Sequence, residues 1–344
     1  WALSIRRNLL YFEFFLIVIA FRYFLSENNL LKIVIINWFF IILIISFDIF
    51  FEYYFGFNTL GFKNETGYTG RIASFFKDEL IVGSFVLAFT IPIFSYFYLS
   101  NRYKLSIFFI LLATFAVFIS GERASSLKII FGLILILYFW NYKNYLKKYI
   151  LSFLIFLMIA IFLTPITKNS SFIKSNIVHK YFDYAIKIIS MNKENSFKQN
   201  LMETRYLNQG VFSYEILKNN IFFGVGNKNY FKACRKHVDG YEKNLCFTHP
   251  HQIYYELMSE HGVIGSFLII FCIFYLVFFN QKKDLNNNIK KKLIIFRIYL
   301  ILSLLPLIPS GSFFSSFISA LFWINYALYT IYRNKLISVE YEKN

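Results

Sequence analysis

A chain of 344 residues that is 57% hydrophobic, 22% aromatic and only 16% charged is too apolar for an ordinary soluble domain, and belongs in a bilayer. Its formal charge of +17 is distributed over short loops between apolar runs and over one long loop. That pattern points to anionic lipid headgroups and phosphates as partners, and away from nucleic acid.

A spanning helix needs about 20 mostly apolar residues. In chain order the candidates are 8–25, 31–51, 79–99, 105–120, 124–141, 149–165, 252–279, 293–309 and 313–332. The predicted architecture is all-α and polytopic, with about nine transmembrane helices. N-terminal transmembrane helices occupy 1–165, a long loop 166–250, and C-terminal transmembrane helices with a tail 251–344. The chain opens on Trp1 and runs almost directly into an apolar stretch, so an N-terminal truncation with further helices missing is expected. Glu13, Arg22 and Asp48 fall within spans. A charge at mid-bilayer costs about 2.5–3.5 kcal/mol on insertion scales, so these three are expected to face the bundle or an interface, in structural roles.

Short loops carry Lys and Arg on the cytoplasmic side. Arg102 and Lys104, then Lys143, Lys147 and Lys148, then Lys282, Lys283, Lys290, Lys291 and Lys292 all fall on one side if the spans alternate, and Arg333, Lys335 and Lys343 join them. Arg6 and Arg7 dissent. Residues 52–78, 121–123 and 166–251 are thereby placed outside. The long segment 166–251 holds thirteen Lys or Arg against six Asp or Glu, a surplus that suits an anionic ligand. Within it, 176–191 and 205–219 have helical apolar spacing and are predicted to lie as amphipathic helices along the membrane surface.

The residues with chemical potential collect on that outer side. Arg71 follows a turn marked by Gly67 and Gly70, and Asp78 and Glu79 are predicted to open the next helix at its favourable end. Arg123, in SGERASS, offers a planar fork suited to a diphosphate, with snorkelling to headgroups as the alternative. Arg205 is a second such guanidinium, unless it pairs with Glu203. Gly224 and Gly226, in GVG, suit a tight turn or close backbone approach. Cys234 and Cys246, twelve residues apart, could form a disulfide in an oxidising compartment, and Cys272 reads as a packing residue.

The stretch 248–265, THPHQIYYELMSEHGVIG, then places imidazoles at the mouth of a long apolar helix. Pro250 suits the first helical position, which puts His251 in the first turn, where the helix dipole disfavours an imidazolium and leaves a neutral base. On a continuous helix Gly262 and Gly265 lie within roughly 40° of His251, making a groove of small residues for another helix or a lipid chain. His261 reads as a packing residue. His249 and His251 diverge at a helix start and lack a third ligand for zinc, no CxxC pair is present, and no DxD pair offers to hold Mg²⁺. No metal and no cofactor are expected.

The run His251-Gln252, nine residues, Gly262-x-x-Gly265, preceded by His249-Pro250, resembles the signature of the bacterial O-antigen ligase and O-antigen polymerase superfamily. Arg71, Arg123, and Arg205 followed by the GVG stretch are placed as in the outer loops of that superfamily. The resemblance implies a glycosyltransferase of lipopolysaccharide biosynthesis at the periplasmic face of the bacterial inner membrane. It would move a glycan from an undecaprenyl-type polyprenyl-diphosphate carrier to an acceptor hydroxyl of lipid A core. On that reading His251 is the general base, and Arg123 and Arg205 neutralise the departing diphosphate. Arg71, His249, Gly224, Gly226 and Arg235 become substrate contacts, and Gln252, Gly262 and Gly265 are motif positions. One base without a carboxylate nucleophile implies inversion at the anomeric carbon. A polymerase joining lipid-linked repeat units shares the same motifs and stays open as an alternative. A non-catalytic lipid-glycan flippase would need polar residues through several spans and symmetric halves, and neither is seen.

Overall fold

Inside a bilayer the backbone must satisfy its own hydrogen bonds, and helices do so locally. The computed structural model describes residues 11–63, 71–77, 79–139, 207–237, 245–279, 287–306 and 308–341, and every regular element among them is helical. In chain order these are α1 (Phe12–Phe24), α2 (Asn28–Phe55), α3 (Val82–Leu99), α4 (Tyr103–Ile119), α5 (Arg123–Phe139), α6 (Leu207–Asn219), α7 (Tyr230–His237), α8 (Ile253–Phe274, continued by a π turn to Phe279), α9 (Asn287–Ser303) and α10 (Ser316–Tyr341). Asn29–Phe55, Val82–Leu99 and Ile253–Phe279 are long and apolar enough to cross a membrane, and Tyr103–Ile119 is a shorter apolar helix. The predicted span 149–165, the amphipathic segment 176–191 and Arg205 lie outside the described residues.

Two packed units divide the chain. One contains α2–α5, α9 as far as Leu302, and the end of α10 from Tyr332. Interlocked rings join its first helices: Trp38 meets Phe89 at 4.8 Å, and Phe39 meets both Phe97 at 5.3 Å and Phe109 at 5.2 Å. Gly132 lets α5 approach α9, since a β-carbon there would stand 3.1 Å from Leu302 Cδ1. Asp48 is fully buried, as its position within a span requires. It accepts hydrogen bonds from Thr59 N (2.8 Å), Thr59 Oγ1 (2.6 Å) and Ser74 Oγ (2.5 Å), and Glu52 accepts from Ser74 N (2.7 Å). The two acids thereby fold the loop after α2 back onto the end of that helix.

Glu13 and Arg22 differ from Asp48. Both are exposed on α1, in its first and last turns respectively, where the helix dipole favours an acid and a base in that order. The start of α3 also departs from expectation: it begins at Val82, beyond Glu79. Its leading amides are met from another segment, because the Glu122 carboxylate accepts from Gly83 N (2.8 Å) and Ser84 N (3.0 Å). A buried acid on a later loop, between α4 and α5, takes the role expected of the local acids.

The other unit contains α1, α6–α8 and α10 as far as Ile331. A small core of Phe212, Ile216, Tyr230, Ala233, Cys234 and Cys246 packs α6 against α7. The start of α8 corrects the reading of Pro250. The helix begins at Ile253, and Gln252 is its N-cap, with the side-chain oxygen accepting from Tyr254 N (2.7 Å) and Tyr255 N (3.0 Å). A carboxamide that satisfies two leading amides competes successfully with proline for the boundary. His251 therefore precedes the helix and has left-handed backbone, φ 53°.

The continuous helical face drawn through His251, Gly262 and Gly265 does not exist either, because α8 is broken at Gly262, where φ is 64° and ψ −170°. In an unbroken helix Val263 N and Ile264 N would donate to the carbonyls of Ser259 and Glu260. Here Val263 N donates to Ile221 O (2.7 Å) and Ile264 N to Phe222 O (3.2 Å). Val225 N and Gly226 N in turn donate to Ser259 O (3.1 Å) and Glu260 O (2.8 Å). The GVG turn thus occupies the break, filling the space expected to admit a lipid chain. Two glycines permit the approach: a β-carbon on Gly224 would lie 2.6 Å from Glu260 O and Gly262 N, and one on Gly262 would lie 2.5 Å from the Phe222 carbonyl.

Gly262→Ala should accordingly destabilise the protein strongly, since the left-handed backbone alone costs roughly 1–3 kcal/mol in a non-glycine residue before the overlap is counted. A thermal melt in detergent, read against wild type, checks this. A midpoint unchanged by the substitution would mean that the clasp contributes little.

Candidate active site

The residues around the break converge on the loop 249–251. Lys228 follows the GVG turn, and its left-handed backbone (φ 62°) is fixed by Glu260, whose carboxylate accepts from Lys228 N (2.8 Å) and Tyr230 N (3.1 Å). Glu260 thereby caps α7 from α8. The Lys228 ammonium stands 3.7 Å from Glu256 Oε1 and donates to Ser312 Oγ. Glu256, almost wholly buried, also accepts from Ser312 Oγ and from Phe313 N (2.8 Å). Three segments meet there: the turn after GVG, the first turn of α8, and the loop 308–313.

That last loop also holds the histidines. Ser310 N donates to His251 O (2.7 Å), which helps fix its left-handed backbone. The His249 and His251 rings are 4.1 Å apart, and Phe247 packs edge-on against His251 at 5.3 Å. Thr248 Oγ1 lies 3.1 Å from His249 Nδ1, and His249 Nε2 is buried with no hydrogen-bond partner among the described residues. Burial, reinforced by His251 and by the positive charge of Lys228, pushes His249 down to about 3, so its imidazole is neutral throughout the physiological range. The neutral His249 imidazole, the His251 ring beside it and the Lys228 ammonium form a group that can accept a proton from a hydroxyl, and can stabilise negative charge that develops nearby.

Cys234 of α7 and Cys246 are bonded, with Cα atoms 5.9 Å apart. The bond ties α7 to the segment three residues before His249, and Gln209 of α6 supports the same segment through Nε2 to Leu245 O (2.8 Å). Gln252 caps α8, and Gly224 with Gly262 makes the clasp described above. Gly265 sits against His261, whose ring packs on Phe314 at 5.0 Å, so His261 has the packing role expected of it. Arg235 is exposed on α7, with its guanidinium over the Phe231 ring at 5.5 Å.

Within the other unit, Arg71 and Arg123 flank a polar cluster. Ile72 N donates to Ser120 O (3.0 Å), which joins the two loops that carry them. Arg71 donates to Leu80 O (2.9 Å), and its charge acts on Glu122. Glu122 also accepts from Ser125 Oγ (2.8 Å), and burial pushes its carboxyl up despite these favourable contacts. Arg123 is half-buried at the first residue of α5. Among the described residues no group of three or more His, Cys, Asp or Glu could hold a metal ion.

Sequence reasoning passed over Lys228, Glu256 and Ser312 and gave Glu260 no role. The two acids carried a usable signal, because a carboxylate inside an apolar run of spanning length needs partners. Lys228 and Ser312 had no local pattern to mark them.

Among the described residues every regular element is helical, three helices are long and apolar enough to cross a membrane, and one of these carries a cluster of histidine, lysine and buried carboxylate at its head, the features of a polytopic membrane protein. More narrowly, residues 108–270 match the family model described as O-antigen ligase, which supports the resemblance to the O-antigen ligase and polymerase superfamily. The match covers Arg123, the GVG turn, both histidines and the broken half of α8. Comparison with curated proteins gives no match.

Two outcomes follow from this geometry. Cleaving the Cys234–Cys246 bond, by reductant or by Cys246→Ser, should remove about 3 kcal/mol of stability for so short a loop, measurable as a lower unfolding midpoint under reducing conditions. His249 should make stability pH-dependent in a defined sense. Its folded value of about 3 lies below the unfolded value of 6.5, so its contribution is complete above about pH 6.5 and is lost progressively as pH falls towards 3. Melts of wild type and His249→Asn across that window should differ in slope, with the variant the flatter.

Proposed function

We propose that this protein is a glycosyltransferase that moves a glycan from a polyprenyl-diphosphate carrier to an acceptor hydroxyl, with His251 as the general base. The observation that carries the reading is the combination of the family match with an imidazole held in left-handed backbone between His249, Phe247 and the loop 308–313. Residues kept in sparsely populated backbone regions cluster at functional sites. The acceptor hydroxyl gives its proton to His251, and its oxygen attacks the anomeric carbon. The bond from that carbon to the phosphate oxygen breaks on the opposite face, inverting the centre. Arg123 and Arg205 take the charge of the departing diphosphate, with Arg71, His249 and Arg235 contacting the glycan or its phosphates. The reaction uses no metal.

The site faces the periplasm in this reading, on an inner membrane crossed about nine times, with 166–250 as the long outer loop. Support comes from contacts inside each unit. The Lys and Arg distribution puts the loops around residues 72 and 120 on the same side, and they are hydrogen-bonded to each other; it puts those around 251 and 310 on the same side, and they are bonded too. Lipid A core is the proposed acceptor, and a second lipid-linked glycan is the alternative that a polymerase would use.

The test is transfer by the purified protein from a defined lipid-diphosphate glycan. Lipid A core as the acceptor upholds the ligase reading, extension of another lipid-linked glycan replaces it with the polymerase, and transfer to neither removes it. His251→Ala should lower the rate by about 10²–10⁴-fold, the usual contribution of a general base, with the melting midpoint retained. Undiminished transfer in that variant would falsify the assignment of His251.

A further inference from the structure

The segment that fills the helix break carries a second observation. At its tip Ile221, Phe222 and Phe223 are 50%, 65% and 73% exposed, an unusual state for three consecutive large apolar side chains in a loop. Through the hydrogen bonds of Val263 N to Ile221 O and Ile264 N to Phe222 O, the tip lies directly beside Val263 and Ile264, which are themselves exposed. Below them on α8, Phe267, Leu268 and Phe271 are exposed as well. The tip is therefore the upper end of a continuous apolar surface that belongs to a membrane-crossing helix.

The acidic residues and the histidine of α8 lie on the other side of the break. Glu256, Glu260 and His261 all precede Gly262, whereas Val263–Phe279 carries no charged residue. The whole 27-residue span Ile253–Phe279 is about 40 Å long at the helical rise, more than a bilayer core requires. Val263–Phe279 alone covers roughly 25 Å, close to a hydrocarbon thickness of about 30 Å. The side of the break that holds the carboxylates also holds their partners, Lys228 and Ser312.

We infer that the membrane boundary runs at the level of Gly262, and that Ile221, Phe222 and Phe223 form a lipid anchor inserted at that boundary. The occupant of this exposed surface is the acyl-chain region of the bilayer. The first turns of α8 project from the membrane with the histidine loop at their end, and the anchor holds that loop at a fixed height, about 15 Å above the break along the helix axis. An apolar tip inserted to the headgroup and acyl boundary is a recognised mode of interfacial attachment. The inference rests on the membrane class of the protein and on the break itself, and does not depend on the chemistry assigned to His251.

Spin labels read the depth directly. In the full chain with Cys272→Ser as background, reconstituted in phospholipid nanodiscs, single labels are placed through Phe223→Cys, Met258→Cys and Phe267→Cys, all at exposed positions. The label at 223 should collide with oxygen and be shielded from a water-soluble nickel chelate, as the label at 267 should be. The label at 258 should show the reverse. Chelate access at 223 equal to that at 258 overturns the anchor, and a label at 258 as shielded as that at 267 overturns the boundary, placing all of Ile253–Phe279 in lipid. Phe222→Cys repeats the reading at the neighbouring exposed site if Phe223→Cys does not fold.

Discussion

A helix that breaks inside an apolar environment frees backbone groups that water cannot reach, and each one left unpaired costs on the order of 1–3 kcal/mol. At Gly262 this constraint is met by exchange. The two carbonyls and two amides that an intact α8 would have joined to each other are joined to residues 221–226. Both the GVG turn and the position of Lys228 follow from that exchange, because the chain leaving the break must pass Glu260, which takes the next free amides. The histidine loop inherits the same reference frame through Glu256 and the 308–313 segment.

Buried carboxylates act as connectors throughout. Asp48 and Glu52 hold the loop after α2, Glu122 closes the start of α3, Glu260 caps α7 and Glu256 anchors the loop before α10. In each case the acid accepts hydrogen bonds from groups distant in sequence, so removing the acid would strand several donors at once. Charges of this kind are costly to bury and acceptable only when fully engaged. Their concentration at helix ends explains how the polar loops of a largely apolar protein are held in place.

The helical class, the apolar spans and the resemblance that the family match supports were legible because they depend on length and composition and on a motif with fixed spacing. Of the predicted spans, 31–51, 79–99 and 252–279 coincide with the three helices among the described residues that are long and apolar enough to cross a membrane. The helix boundaries that failed were those decided by residues elsewhere or by side-chain competition. The start of α3 depended on Glu122, on a later loop, and the start of α8 on the carboxamide of Gln252 prevailing over Pro250. The face through His251, Gly262 and Gly265 assumed a continuous helix, and periodicity has no means of registering a break that another segment stabilises. The GVG turn was correctly read as a close backbone approach, but its partner, Gly262, could not be named without the fold. Lys228 and Ser312 are defined only by where Glu256 places them.

The bond between Cys234 and Cys246 creates a covalent shortcut past residues 235–245. Mechanical continuity from α7 to the histidine segment runs through sulfur. A cut of the peptide chain between the two cysteines would therefore leave α7 covalently attached to the segment that leads to the histidines.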